Sequence, residues 1–137
     1  MEMLVLDTTV LANYFIGTSS HRLESSALLR LPFEFTAPDL WRAELASVFW
    51  KAVRAGHIAP DDALEMLPQA EELVSTTVSS QELWSSALTL AVEADHPVYD
   101  CLFVALAIMQ DTMLVSYDLK LKAKFGDLVV LPEKVIS

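Results

Sequence analysis

Two aspartates follow short apolar runs at points where buried strands would end. Asp7 comes directly after the run 3–6, and Asp118 comes shortly after the run 113–115. If these strands are parallel, their carboxyl ends meet at one edge of a sheet, which is where such folds bind ligands. Either aspartate could also serve as a helix N-cap, because Asp accepts hydrogen bonds from the free N–H groups of a helix start. The pattern leaves this simpler role open for both.

Two further acids lie within predicted helices, among apolar residues. Asp100 is the only charged residue between positions 98 and 109. An unpaired carboxylate on so apolar a helix would be strongly destabilising or would take up a proton. The alternative is a first-turn aspartate that faces water and gains from the helix dipole. Glu44 lies beside the apolar stripe of another helix, where the alternative is an ion pair with Lys51 or Arg42.

Taken together, Asp7, Glu44, Asp100 and Asp118 favour a site for a hard divalent cation. Acids that converge at one edge repel each other and raise each other's pKa values. Mg²⁺ or Mn²⁺ would relieve this repulsion, because both ions prefer oxygen ligands and keep several waters. The four positions therefore form our candidate metal site.

Other ligand chemistries find less support. Zinc is not expected, because the chain has one cysteine, Cys101, which we expect to be a buried core thiol. No GxxxxGK[ST] or GxGxxG segment is present to cradle a nucleotide phosphate. We expect the three scattered histidines to be surface or loop residues: His21, His57 and His96.

The elements that would position the acids alternate between strands and helices. Strands are predicted at 3–6, 33–37, 73–78, 113–116 and 128–131. Helices are predicted at 8–16, 21–30, 39–55, 60–67, 79–93, 98–109 and 119–125. This alternation predicts an α/β fold with a parallel sheet covered on both faces.

Local signals mark several helix ends. Gly56 is a plausible C-terminal cap for the long helix before it. Pro68 should interrupt or end the next helix, since proline lacks the N–H that helix hydrogen bonding needs. Ser79 and Glu82 match a capping box at the start of another helix.

Composition sets wider limits. The 137 residues predict a single domain over 1–137. With 9 basic and 19 acidic residues, the net charge of −10 argues against a broad basic surface for nucleic acid. No apolar run approaches the roughly 20 residues that span a bilayer, and an acid stands where a signal peptide would be positive. With its single cysteine, the chain is expected in the reducing cytoplasm, with no membrane partner.

Four segments, in order, resemble the motifs of PIN-domain ribonucleases. They are LDTTVL at 6–11, PDLWRAEL at 38–45, YDCLFVALA at 99–107 and SYD at 116–118. The last is usually Thr-x-Asp, and Ser116 replaces the threonine here. Each motif is weak alone, but their order, spacing and the chain length resemble a VapC-type toxin of a toxin–antitoxin pair over essentially the whole sequence.

The resemblance implies a three-layer α/β/α sandwich with a central parallel sheet. It implies cleavage of RNA phosphodiester bonds by metal-activated water, with Mg²⁺ or Mn²⁺ as cofactor. By position, Asp7, Glu44 and Asp100 would be the main metal ligands. Asp118 would complete the cluster, and two hydroxyl side chains would hold these acids by hydrogen bonds: Thr9 and Ser116.

The resemblance also implies a homodimer and a cognate antitoxin whose tail blocks the site. Trp50 lies opposite the apolar stripe of its helix, and Phe49 and Val53 widen the apolar surface. Such a helix is either buried or covered by a partner, and we favour a partner. Few basic residues lie near the acids. Three lysines follow Asp118, and they either bind the substrate or form a solvated helix face: Lys120, Lys122 and Lys124.

Three other functions share part of this pattern. A haloacid-dehalogenase-like phosphatase also places Asp after the first strand, but it needs a second acid two residues later, where this chain has Thr9. A receiver-type phosphoacceptor domain would need paired acids at the same strand end. The remaining alternative is a PIN-fold module that binds without catalysis, which the presence of all four acids argues against.

Overall fold

A computed structural model describes residues 2–137, which are organised around a five-stranded parallel sheet. Its strand order is β3-β2-β1-β4-β5, and every neighbouring pair is parallel. The strands are β1 (Met3–Leu6), β2 (Glu34–Pro38), β3 (Thr76–Val78), β4 (Leu114–Val115) and β5 (Val129–Val130). Buried aliphatic residues dominate β1 and β4, as expected for strands covered on both faces.

The helices cover the two faces of the sheet in separate groups. They are α1 (Thr8–Ile16), α2 (Ser19–Leu29), α3 (Trp41–Arg54), α4 (Pro60–Leu73), α5 (Ser80–Ala94), α6 (Val98–Met109), α7 (Leu119–Phe125) and α8 (Pro132–Ile136). Parallel crossovers are right-handed, so the connections from β1 to β3 place α1–α4 on one face, and the return to β4 and β5 places α5–α7 on the other. The predicted α/β/α sandwich is confirmed.

The strand order reverses between β1 and β4. From β1 the chain moves outward to β2 and β3, then crosses back to β4 on the other side of β1. The Asp7 N–H donates to the Val115 carbonyl (3.0 Å), so the last residues of the two strands lie side by side. This is a topological switch point, the place where open α/β sheets leave a crevice for a ligand.

The apolar helix α6 anchors the sheet. Residues 101–107 are all buried, and α6 packs against β1, β2 and β4. Burying each large aliphatic side chain stabilises the fold by roughly 1.5–3 kcal/mol. Cys101 is a buried core thiol, as expected, and burial raises its pKa. The rigid helix carries Asp100 in its first turn.

Several element boundaries differ from the predictions. The helix predicted at 60–67 continues through Pro68 to Leu73, so the prediction that Pro68 ends or interrupts it is wrong. Proline deprives the Leu64 carbonyl of its helical donor, but Leu64 is exposed, so water can satisfy the carbonyl. Strand β3 consequently starts at Thr76 instead of position 73. The helix α8 was not predicted.

Two predicted helix ends are confirmed. Helix α3 ends at Arg54, and Gly56 beyond it has φ of +77°, the left-handed conformation that glycine adopts most easily. Ser79 is the N-cap of α5, and its hydroxyl accepts the Gln81 N–H (3.2 Å). Among residues 2–137 no hydrogen bond joins the Ser79 N–H to the Glu82 side chain, so the helix start is confirmed but the full capping box is not. Among residues 2–137, no helix combines the length and hydrophobicity needed to cross a membrane.

Candidate active site

The four candidate acids line one open cleft of about 360 Å³ at the switch point. Asp7 follows β1, Asp118 stands before α7, Glu44 projects from α3, and Asp100 projects from α6. The cleft therefore draws side chains from both helical layers. Five further polar residues line it: Thr8, Thr9, Asn13, Ser47 and Lys51.

Asp7 is the deepest of the acids, with only 6% of its surface exposed. Two hydroxyls donate to the same carboxylate oxygen, Oδ2: Thr9 Oγ1 at 2.8 Å and Ser116 Oγ at 2.6 Å. Burial raises the pKa of Asp7 above its ordinary value; the two hydrogen bonds oppose this, and the nearby charge of Asp100 adds to it. The site thus holds a carboxyl group that is difficult to ionise without a compensating positive charge.

Glu44 is half-buried on α3 and reaches the same cleft. Its Oε1 accepts a hydrogen bond from Thr8 Oγ1 (2.8 Å). Burial raises the pKa of Glu44, the Thr8 hydrogen bond lowers it, and the charges of Asp7 and Asp100 raise it further. Three of the acids therefore repel one another electrostatically.

Asp100 is paired with a histidine. Its Oδ2 lies 2.8 Å from His96 Nε2, and the side chains are 33% and 8% exposed respectively. Asp100 lies in the first turn of α6, as the alternative interpretation required, but one of its oxygens contacts His96 and does not simply face water. His96 lies in a loop, as expected, but its ring is buried and is not a surface group. His21 and His57 are exposed, as expected.

Asp118 has a divided role. Its Oδ1 accepts the N–H groups of Lys120 (2.9 Å) and Leu121 (3.1 Å), so its carboxylate caps α7. Its own N–H donates to Ser116 Oγ (3.0 Å). Ser116 therefore connects Asp118 to Asp7 through one hydroxyl group, and Asp118 both caps a helix and lines the cleft.

The basic residues follow a different pattern from the one expected. Lys51, on α3, is the basic residue that lines the cleft, and among residues 2–137 it forms no ion pair within 4 Å. Arg42 pairs with Glu71 and not with Glu44, so neither base proposed as a partner of Glu44 pairs with it.

The lysines after Asp118 do not form a uniformly solvated face, because two of them make hydrogen bonds to backbone carbonyls. Lys122 Nζ donates to the carbonyls of Gly126 and Val129, and Lys124 Nζ donates to the carbonyl of Ala94 (2.7 Å). Two of the three side chains thus hold the backbone together. Only Lys120 points away from such contacts.

The donor set fits Mg²⁺ or Mn²⁺. The cleft offers carboxylate and hydroxyl oxygens, and the mutual repulsion of Asp7, Glu44 and Asp100 would be relieved by a cation. In residues 2–137 no three His, Cys, Asp or Glu side chains form a ready-made metal cage. Mg²⁺ does not need one, because it commonly binds through one or two carboxylates and keeps its remaining waters.

Sequence reasoning missed several residues of the site, and three of them matter most to the argument: Thr8, Lys51 and His96. Thr8 adjoins Asp7, so its position beside the strand end was the available signal. Lys51 lies seven residues after Glu44, about two helical turns, which places both on one face of α3. His96 precedes Asp100 by four residues across the start of α6, where no helical spacing rule applies.

The surface of α3 also differs in part from the prediction. Trp50 is 55% exposed, and the Arg54 guanidinium lies 4.7 Å from the centre of its ring. Phe49, however, is buried in the core and contacts the Phe15 ring edge-on. Including Phe49 in an exposed apolar surface was therefore wrong, because the helix turns that side chain inward.

A larger cleft of about 830 Å³ lies between α2 and α4. Its charged residues have both signs and include Arg22, Asp62 and Glu65. None of the four acids lines it. Size alone therefore does not distinguish the cleft that holds the acids.

The fold and the acidic cleft define a PIN-type domain. The PIN domain family matches residues 4–125, and the chain belongs to this family. It is 30% identical over 128 residues to ribonuclease VapC3 of Pyrobaculum aerophilum. The aligned region covers 92% of this chain and 97% of that relative.

Solved structures share the fold. PAE2754 from Pyrobaculum aerophilum aligns with a TM-score of 0.76 at 17% identity, over 98% of this chain and 93% of its own. A toxin–antitoxin complex from Klebsiella pneumoniae gives 0.66 at 18% identity, over 94% and 97%. VapBC2 from Rickettsia felis, bound to a DNA fragment from its promoter, gives 0.64 at 14%, over 94% and 96%.

Proposed function

We propose that the protein is a Mg²⁺- or Mn²⁺-dependent endoribonuclease and the toxin of a toxin–antitoxin pair. The similarity to a ribonuclease VapC supports the activity, and the fold shared with a chain of a toxin–antitoxin complex agrees with the biological role. The observation that carries the proposal is the convergence of four acids on one cleft at the switch point.

The roles of the side chains follow from their surroundings. Asp7, Glu44 and Asp100 would hold the cation, since their charges repel when it is absent. Asp118 would act through water, because its Oδ1 already caps α7. When bound, the cation would lower the pKa of a coordinated water and neutralise charge on the phosphate.

The hydroxyls fix the acids before substrate arrives. Thr9 and Ser116 hold one oxygen of Asp7, and Thr8 holds one oxygen of Glu44. Such hydrogen bonds to carboxylates prevent the acids from turning away from each other. The site is thus preorganised, so little reorganisation is needed during the reaction.

Lys51 supplies the positive charge for the RNA backbone. It lines the cleft without an ion-pair partner, so its ammonium group is available to a phosphate. Lys51→Ala should raise KM for RNA more than it lowers kcat, and should reduce the slope of log affinity against log salt by about 1.

Cleavage of RNA tests the proposal directly. Purified wild type should cleave RNA in Mn²⁺, and Glu44→Gln and Asp100→Asn should each lower the rate at least about 100-fold. Asp61→Asn and Glu72→Gln remove exposed acids of α4 and serve as controls that should retain the wild-type rate. Near wild-type cleavage by both site variants would refute the assignment.

A non-catalytic PIN-fold module is the alternative function. It would bind RNA or a protein through the same cleft but would not cleave. Wild-type protein that binds RNA in the presence of Mn²⁺, yet releases no fragments from single-stranded or structured RNA, would favour this alternative.

The exposed side of α3 is the surface we propose for a second copy or an antitoxin. Trp50→Glu should weaken association and leave the monomer folded, because more than half of the side chain is exposed. Trp84→Glu, at an exposed position of α5, tests whether any exposed tryptophan behaves this way. Sedimentation with and without the antitoxin would contradict the assignment if only Trp84→Glu weakened association.

A further inference from the structure

His96 lies outside the segments used to identify the acidic site, yet it contacts one of the acids directly. Its Nε2 is 2.8 Å from Asp100 Oδ2, and its side chain is only 8% exposed. A carboxylate oxygen only accepts hydrogen bonds, so the proton between them belongs to Nε2. Asp100 thus has one oxygen engaged by a buried donor.

The position of His96 is itself strongly constrained. Its backbone N–H donates to the Ala91 carbonyl (3.2 Å), and its carbonyl accepts the Cys101 thiol (3.9 Å). The imidazole packs against the Phe125 ring in an edge-to-face arrangement, with an interplanar angle of 88°. These contacts tie the ring to α5, α6 and α7 together.

The residue before His96 shows that the chain is held in an uncommon conformation. Asp95 has φ of +52°, a left-handed conformation that is uncommon for residues other than glycine. Lys124 Nζ donates to the carbonyls of Ala94 and Asp95, which fixes this turn from α7. The loop therefore presents the imidazole to Asp100 from a rigid support.

We infer that His96 is a positioning residue for the metal site, which builds on the function proposed above. By donating to Oδ2, it restricts the rotation of the Asp100 carboxylate and leaves the other oxygen for the cation. Hydrogen bonds to ligating carboxylates commonly affect metal affinity or activity 10–100-fold. His96 would therefore tune the site without touching the substrate.

A matched pair of variants separates this role from packing. His96→Leu retains an apolar side chain against Phe125 but has no donor, whereas His96→Gln provides an amide N–H close to the position of Nε2. Calorimetry should show Mn²⁺ binding to His96→Leu weakened about 10–100-fold. His96→Gln should recover most of the affinity.

Kinetics and melting provide further readouts. His96→Leu should lower kcat for RNA cleavage and leave KM for RNA close to wild type. His57→Leu, at an exposed histidine that does not line the acidic cleft, should change neither Mn²⁺ affinity nor cleavage. Thermal melts in chelator identify any variant that is unfolded. If His96→Leu is unfolded, the comparison of wild type with His96→Gln tests the role of the hydrogen bond.

The outcomes separate the two proposals. If wild type binds Mn²⁺ and His96→Leu binds it equally well, His96 only packs and its positioning role is refuted. If His96→Gln folds but binds no better than His96→Leu, the donated hydrogen bond is not the cause. If wild type itself binds no Mn²⁺, the proposed metal-dependent function fails, and the role of His96 fails with it.

Discussion

The ends of β1 and β4 have the same local design but place their aspartates in different environments. Both Asp7 and Asp118 occupy the N-cap position of the following helix. Asp118 uses its carboxylate as a cap, whereas the Asp7 carboxylate does not cap α1 and instead accepts the hydroxyls of Thr9 and Ser116. A strand-end aspartate is thus a cap at one position and a buried site residue at the other.

The difference follows from what surrounds each strand end. Strand β1 is central in the sheet, with β2 and β4 on either side, so Asp7 is enclosed. Asp118 comes after a two-residue strand and stands at the cleft rim, where the backbone N–H groups of α7 are free to pair with it. Burial raises the pKa of Asp7, which is a destabilising feature retained at the site.

The largest expected difference between the two aspartates is in catalysis. Asp7→Asn should lower RNA cleavage at least about 100-fold, because it removes a charge that would bind the cation. Asp118→Asn should lower it less, because asparagine is also a good N-cap and, in the proposed site, Asp118 would contact the cation through water. Rates in Mn²⁺ at equal protein concentration measure both, and an equal loss would contradict the division of roles.

The pH dependence of stability should also differ. The raised pKa of Asp7 means that the folded state binds a proton more tightly than the unfolded chain. In chelator, protonated Asp7 therefore contributes to the stability of the fold below the ordinary pKa of 3.8. That stability is lost as pH rises through the folded-state pKa. Wild type should therefore lose stability relative to Asp7→Asn as pH rises from about 4, in urea unfolding followed at several pH values.

An ion pair on the surface provides a control, because its effect on stability should change with pH in the opposite direction. Arg42 lowers the pKa of Glu71 below its ordinary 4.5, so this pair stabilises above that pH and the effect is lost as pH falls. Both residues are exposed, so the contribution of the pair should be small. If Asp7→Asn and Glu71→Gln changed the pH profile in the same direction, the burial of Asp7 would not explain its effect.

The smallest expected effect concerns the cap at Asp118. Asp118→Ala removes the acceptor for two N–H groups of α7 and should destabilise the protein by about 1 kcal/mol. Asp118→Asn should retain most of that stability. Equal unfolding free energies for wild type and Asp118→Ala would show that the cap contributes nothing.

Much of the fold could be predicted from the sequence, because burial and chain direction leave clear patterns. Buried strands appear as short apolar runs, and their alternation with helices requires a parallel sheet. The course of α4 through Pro68 could not be predicted, since the proline rule describes a local cost and the tertiary structure determines whether the helix continues. The limits of β4 depended on pairing partners far along the chain.

The acids were predictable because each one contrasts with apolar neighbours or follows a strand. Their partners were harder to identify, since Thr8 with Glu44 and His96 with Asp100 depend on how separate segments pack. The partner of Arg42 shows the same limit: the sequence analysis suggested Glu44, two residues later on the same helix, whereas Arg42 pairs with Glu71 on α4.

The stabilisation of the protein by Mn²⁺ tests the central claim most directly. A ligand that binds only the folded state adds about 2.7 kcal/mol at 100 times its Kd. Melting curves of wild type, Asp7→Asn and Asp118→Asn, each with chelator and with Mn²⁺ at pH 7, should show this gain in wild type, its loss in Asp7→Asn and most of it in Asp118→Asn. Full stabilisation of Asp7→Asn by Mn²⁺ would contradict the account.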